Sequence, residues 1–206
     1  MNKGILTILT AIALAMSCFP AAAEDAVSSA TVDVAVFPAA EEHENASVLV
    51  VYFSTDDTVK AAALTAADAL EADVFEVVPE QPYTDADLAY YTDCRADKEH
   101  ADSSARPGIA VWPESLDQYD VIFVGYPIWH GQAPKILYTL FEGIDVSGKT
   151  IIPFCTSASS GAGSSAGNLE KAANGGIWLK AARINNHSTA EQIQAWALSA
   201  LAETAE

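Results

Sequence analysis

Residues 47–206 read as a three-layer α/β domain, a doubly wound fold in which a five-stranded parallel sheet is covered by helices on both faces. The runs at 48–53 and 121–126 are short, apolar and rich in Val, Ile, Phe and Tyr, as strands buried on both faces are, and 74–78, 150–155 and 178–184 read as the other three strands. Helical or mixed segments alternate with these runs, and parallel neighbours need such crossovers. No unit repeats along the chain, which sets solenoids and propellers aside.

With 206 residues and 21.7 kDa, the chain can bury one sizeable core but is short for two full domains. Its first residues read as an export signal: Lys3 supplies the positive charge, residues 4–16 are apolar, and Ala21-Ala22-Ala23 offers small residues for cleavage. The apolar run falls short of the ~20 residues that span a bilayer. Residues 1–23 are thus expected to be removed before Glu24, leaving no transmembrane span and an exported protein, periplasmic, secreted or at the cell surface. Lipid attachment at Cys18 is the alternative, although the leucine that usually opens such a site is missing. Residues 24–46 mix Ala, Ser, Val and acids without a period and read as a spacer.

The strand at 48–53 is continuous and β-branched or aromatic; polar residues 54–58 break it, and Leu64, Ala67 and Leu70 form a helical stripe within 60–71. Pro79 ends the second strand. Residues 85–102 are polar, aromatic and helical in part. The third strand leads through a Pro-containing turn to an amphipathic segment at 135–141. A Ser/Gly loop follows the fourth strand as far as Gly167, with a short helix predicted at 168–173. The last helix, 189–202, carries Ile193, Trp196 and Leu201, and Thr189 with Gln192 makes a capping box at its start.

Half of the residues are hydrophobic and mean hydropathy is +0.16, as in a packed body rather than a disordered chain. Ten basic residues against 28 acidic ones give a net charge of −18, which opposes nucleic acid and anionic lipid. Beyond the leader only Cys94 and Cys155 remain. Export would permit a disulfide between them, but two unpaired thiols are the default expectation, and neither stands in a metal-binding spacing.

In a sheet of this kind ligands bind outside the carboxyl ends of the strands. Three loops there form one constellation: Ser54-Thr55-Asp56-Asp57-Thr58, followed by Val59; Pro127-Ile128-Trp129-His130-Gly131; and Thr156-Ser157-Ala158-Ser159-Ser160-Gly161. The first offers hydroxyls and backbone N–H groups at a helix start. The second offers a flat aromatic surface and an imidazole that can carry a proton near neutrality. Backbone approach and hydrogen bonding are what the third provides.

With Tyr52-Phe53-Ser54, Gly125-Tyr126-Pro127-Ile128-Trp129 and Pro153-Phe154-Cys155-Thr156-Ser157 in this order, the chain from 48 to 202 resembles the bacterial branch of the flavodoxin family. The resemblance implies a flavodoxin-like sheet of order 2-1-3-4-5, FMN as cofactor, and electron-transfer or oxidoreductase function. It places the phosphate on Ser54, Thr55 and Thr58, with Asp57 and Val59 in the same cofactor-binding loop, and the isoalloxazine beside Trp129 within Pro127, Ile128, His130 and Gly131. His130 would donate to the reduced ring, and Thr156, Ser157, Ala158 and Gly161 would line it. No side chain is implied as catalytic, because the flavin performs the chemistry.

One departure stands out. Where the family has Thr-Gly, this chain has Asp56-Asp57, and a carboxylate about 4 Å from a phosphate costs ~1 kcal/mol per charge pair in water and more in a drier site. Riboflavin, or no flavin, is therefore the alternative to FMN, unless the two acids point to solvent or cap the helix. Arg106 and Glu99 also match this branch and are expected in surface salt bridges; Asp145 and Lys149 are expected to serve fold and solubility. The redox partner, a protein or a small acceptor, is left open. Two other functions compete: a binding module that kept the fold and lost the flavin, and a hydrolase using Ser54 or Cys155. The hydrolase lacks both a Gly-x-Ser-x-Gly elbow and a base.

Overall fold

A computed structural model describes residues 46–157 and 159–205. The leader, Cys18 and all but the last residue of the spacer lie outside these, as does Ala158. Strands β1 (Val48–Tyr52), β2 (Asp73–Glu76), β3 (Val121–Pro127), β4 (Thr150–Thr156), β5 (Ile177–Trp178) and β6 (Ala182–Ile184) alternate with helices α1 (Asp57–Leu70), α2 (Arg95–Ala101), α3 (Lys135–Gly143), α4 (Ser165–Ala172) and α5 (Ala190–Ala202). All strand pairings are parallel, in the order β2-β1-β3-β4-β5. This is the predicted doubly wound arrangement.

The period of two in the strands sorts the core into two layers. Leu49 and Val51 of β1, with Ile122, Val124 and Tyr126 of β3, pack against Ile136, Leu137, Leu140 and Phe141 of α3 and Leu169 of α4. Val48, Val50 and Tyr52, with Val121 and Phe123, face α1 and α5 instead. The buried side of α1 consists of Val59 and the alanines 62, 63, 66 and 67, and small side chains let this helix lie close to the sheet. Thr189 and Gln192 form the expected capping box of α5, with Thr189 N–H donating to Gln192 Oε1 (3.0 Å) and Gln192 N–H to Thr189 Oγ1 (3.3 Å).

The fifth strand differs from a continuous 178–184. It is split into β5 and β6, which pair with the two ends of β4. Ile151 accepts from Leu179 N–H at 2.9 Å, so Ile151 turns its peptide groups toward this edge, and by alternation Pro153 does the same. Proline has no N–H to offer there, and the ladder lapses between Leu179 and Ala181. The predicted second strand is also shorter, because beyond Glu76 the chain turns to pair antiparallel through Pro79 with Ile109.

Both cysteines of the domain are buried and unpaired. Burial raises the Cys155 thiol to about 11, which removes it as a nucleophile near neutral pH. Arg106 forms a two-pronged ion pair with Glu142 (2.7 and 2.6 Å), whereas Glu99 binds Arg95 (2.6 Å) and accepts from Tyr83 Oη (2.5 Å). Lys149 Nζ donates to Tyr119 O (2.7 Å), holding the turn before β4.

Gly125 lies in the middle of β3 because the Phe154 ring crosses over it: a Cβ there would stand 2.3 Å from Phe154 Cζ. Gly125→Ala is expected to destabilise the domain by about 1–3 kcal/mol through overpacking. In chemical denaturation the midpoint should fall while the slope stays unchanged.

Candidate functional site

The strand order reverses between β1 and β3, and their helices leave on opposite faces, α1 with α5 and α3 with α4. Such a switch point opens a crevice at the carboxyl edge. A cleft of about 420 Å³ lies there, within the usual range for a small-molecule site. Thr55, Asp56 and Thr58 form one end of it, and Pro127, Ile128 and Trp129 a wall. Thr156 and Ser157 close the side toward β4.

At the α1 end, Asp56 is the N-cap of the helix, and its Oδ1 accepts from Thr58 N–H at 2.8 Å. Ser54 Oγ donates to Asp56 O and tightens the same turn. Asp57 is exposed in the first turn. Val59 is fully buried against the sheet, so its side chain faces the core and not the cleft. The helix start that would receive an anion already holds one, the Asp56 carboxylate.

The second loop is a tight turn. Trp129 and Gln132 exchange two backbone hydrogen bonds, each of 2.9 Å, and the residues between them, His130 (φ 48°) and Gly131 (φ 78°), both take positive φ. Paired positive φ values at the two central residues are the signature of a type I′ hairpin turn, which glycine meets without strain and histidine at a cost. Asp97 of α2 offsets that cost, with its Oδ1 2.8 Å from His130 Nε2 and both side chains largely covered. Its other oxygen accepts from Thr92 N–H (3.0 Å) and Cys94 N–H (3.3 Å). These bonds outweigh partial burial and hold the Asp97 carboxyl below its ordinary range.

Trp129 is only 6 % exposed. Phe53, Tyr83 and Tyr90 meet it edge to face at centroid distances of 5.5, 5.1 and 6.4 Å. What remains open is the strip of indole at the cleft, beside Tyr90, whose hydroxyl burial pushes up to about 12. In the third loop Ser157 Oγ lies 2.9 Å from Ser160 Oγ, and Arg183 of β6 donates to Ser157 O at 2.9 Å, fixing the loop against the sheet.

Of the residues predicted for the site, Thr55, Thr58, Pro127, Ile128, Trp129, Thr156 and Ser157 line the cleft together. Ser54, Asp57, Val59, His130, Gly131 and Gly161 do not, and Ala158 lies outside the described residues. Asp85, Leu88, Tyr90 and Asn186 line it without having been predicted. A ring-shaped apolar ligand suits the Trp129–Tyr90 side. A dianionic phosphate does not suit a lining that includes Asp56 and Asp85 and no basic residue.

His100 stacks on His130 with ring centroids 4.7 Å apart. Partial desolvation lowers the His100 pKa, and electrostatic interaction with His130 and then with Lys135 lowers it further, against the pull of Asp97. On acidification below the ordinary histidine value of about 6.5, the unfolded chain binds this proton first, so the unfolding free energy should decrease through that window and recover above it. In His130→Gln the NMR titration midpoint of His100 should rise; an unchanged midpoint would show that the stacked pair is not electrostatically coupled.

The flavodoxin family model matches residues 47–200. Among solved structures, a candidate flavoprotein of Bacteroides eggerthii is 40% identical over 74% of this chain and 96% of its own, with a TM-score of 0.68. One of Bacteroides uniformis is 36% identical over 74% and 98%, with a TM-score of 0.70. A flavoprotein of Lactobacillus acidophilus in complex with FMN shares the fold at 22% identity, over 68% and 93%, with a TM-score of 0.57. No curated protein matches the chain. With three-quarters of its length covered by the family model and the sheet order in place, the chain belongs to the flavodoxin family.

Proposed function

We propose that this protein is a flavin-binding electron-transfer or oxidoreductase domain that receives the isoalloxazine ring in the cleft at the β1/β3 switch point. One observation carries the reading: in a flavodoxin-family chain, Trp129 and Tyr90 share the lining of one cleft of about 420 Å³ with the hydroxyl-bearing loops of β1 and β4. A flat heteroaromatic ring needs an apolar face and a few fixed polar groups at its edge. Ile128 and Trp129 would provide the face, and Thr156 and Ser157, which line the same cleft, would make the edge contacts. FMN and riboflavin present the same ring, so this reading covers both. When bound, the flavin would supply the electron chemistry; the chain's own residues would bind and orient it and exclude water.

Residues 1–23 support action outside the cytoplasm after signal cleavage. No described helix is long and apolar enough to cross a membrane. The strongly acidic surface would favour a basic protein partner or a small acceptor over a polyanion.

The test is direct. Protein freed of bound small molecules and titrated with riboflavin or FMN at micromolar concentrations should quench flavin fluorescence and turn yellow, with a visible band that bleaches on reduction. A protein that quenches neither flavin would instead be the flavin-free binding module. Trp129→Leu keeps an apolar side chain in the pocket and is expected to weaken the flavin that binds by several-fold to about tenfold, the usual worth of an aromatic contact. Unchanged affinity would remove Trp129 from the site.

A further inference from the structure

The cleft has two chemically different ends, and the one at α1 is acidic. Thr55, Asp56 and Thr58 line the same cleft as Trp129, so the tail of a ligand whose ring lies along Trp129 has the start of α1 within reach. The Asp56 carboxylate stands there as the helix cap, its Oδ1 2.8 Å from Thr58 N. A phosphate seeking that N–H must expel Asp56 and then lie beside it, with Asp57 exposed one residue on. The cleft lining includes Asp85 and no Lys or Arg, and the nearest lysine on α1, Lys60, lies in the adjoining hollow, where it pairs with Glu76 at 3.7 Å.

A neutral polyol meets the opposite situation. Its hydroxyls are donors, and the α1 end offers acceptors: Asp56 Oδ2 takes no hydrogen bond from the described residues, and the Thr55 and Thr58 hydroxyls stand on the same lining. Hydrogen bonds from hydroxyls to a carboxylate are of the stronger, charge-assisted kind.

Resting on the flavin reading above, we infer that Asp56 acts as a resident anion at the start of α1 and makes this site select a flavin with an uncharged polyol tail, riboflavin, over its phosphate ester FMN. Asp56 is thereby a specificity-determining residue: it fills the helix N-terminus with the protein's own charge and presents its free oxygen to the tail.

Fluorescence titration of the full-length protein with riboflavin and with FMN tests this. Riboflavin should bind at least tenfold more tightly than FMN at low ionic strength. Because the penalty on FMN is repulsion between like charges, added salt should narrow the gap by tightening FMN and leave riboflavin nearly unchanged. Asp56→Asn retains the capping side chain, since Asn caps as well as Asp, but removes the charge; FMN affinity should rise about tenfold, while riboflavin, deprived of its charge-assisted bond to the free oxygen, should weaken, so that the riboflavin-to-FMN preference falls at least tenfold. Asp56→Ser, also a good cap, should do the same and guards against a folding defect particular to Asn. If FMN binds the unaltered protein as tightly as riboflavin or more so, the selectivity is wrong while the flavin site stands. Should riboflavin win with the ratio unmoved by either variant, Asp56 is not its source and the inference fails. Binding of neither flavin would overturn the flavin reading itself, and this inference with it.

Discussion

The arrangement of the carboxyl edge depends on one constraint, the pairing of β1 with β3 while the helices that follow them leave on opposite faces. Val48 to Tyr52 align with Val121 to Gly125 in parallel register, and alternation hands odd residues of β1 to α3 and α4 and even ones to α1 and α5. No crossover covers the gap between the two strand ends, so a cleft is left there by topology before any side chain is chosen. The side chains decide what it can hold. Gly125 is part of this constraint, because its missing Cβ lets the Phe154 ring cross β3.

The long excursion between β2 and β3 supplies the second support. Asp97 reaches from α2 to His130 and fixes the hairpin turn that carries Trp129, while the same carboxylate gathers the N–H groups at the start of α2. Positive φ at His130 costs roughly 1–3 kcal/mol, and a largely covered hydrogen bond with a carboxylate is of the right order to offset it. Trp129 is gripped on its other sides by Phe53 and Tyr83, and Tyr83 is itself held by Glu99 and lies under Arg95 at 4.0 Å. The cleft wall is therefore part of the core, presented at its rim, and stiffness there keeps an aromatic surface aligned without further ordering cost.

The strands, the helix boundaries near them and the cap at Thr189 were legible because each is a local pattern: a β-branched run, a helical stripe, a capping box within four residues. The three loops were legible through order and spacing. Tyr90, Leu88 and Asp85 were not legible as cleft residues, since they lie in the long excursion between β2 and β3, where no local pattern points to the strand ends. Asp97 and His130 stand 33 residues apart, a distance at which no spacing rule applies. The interruption of the last strand needed a neighbour's chemistry, the missing N–H of Pro153, which cannot be seen within residues 178–184 themselves.

Asp56 shows how one residue can satisfy the fold and reshape the site together. An N-cap carboxylate is worth about 0.5–2 kcal/mol to a helix, and α1, whose buried face is mostly alanine, gains little from apolar area for its length. The cap thus helps a helix that packs with small side chains. The same atoms stand where an open helix start would otherwise attract an anion, so stability and anion affinity draw on one set of N–H groups and cannot both be maximal. In a chain of net charge −18, a carboxylate at that point also aligns the local field with the overall one, and a ligand's charge becomes the property the cleft discriminates most strongly.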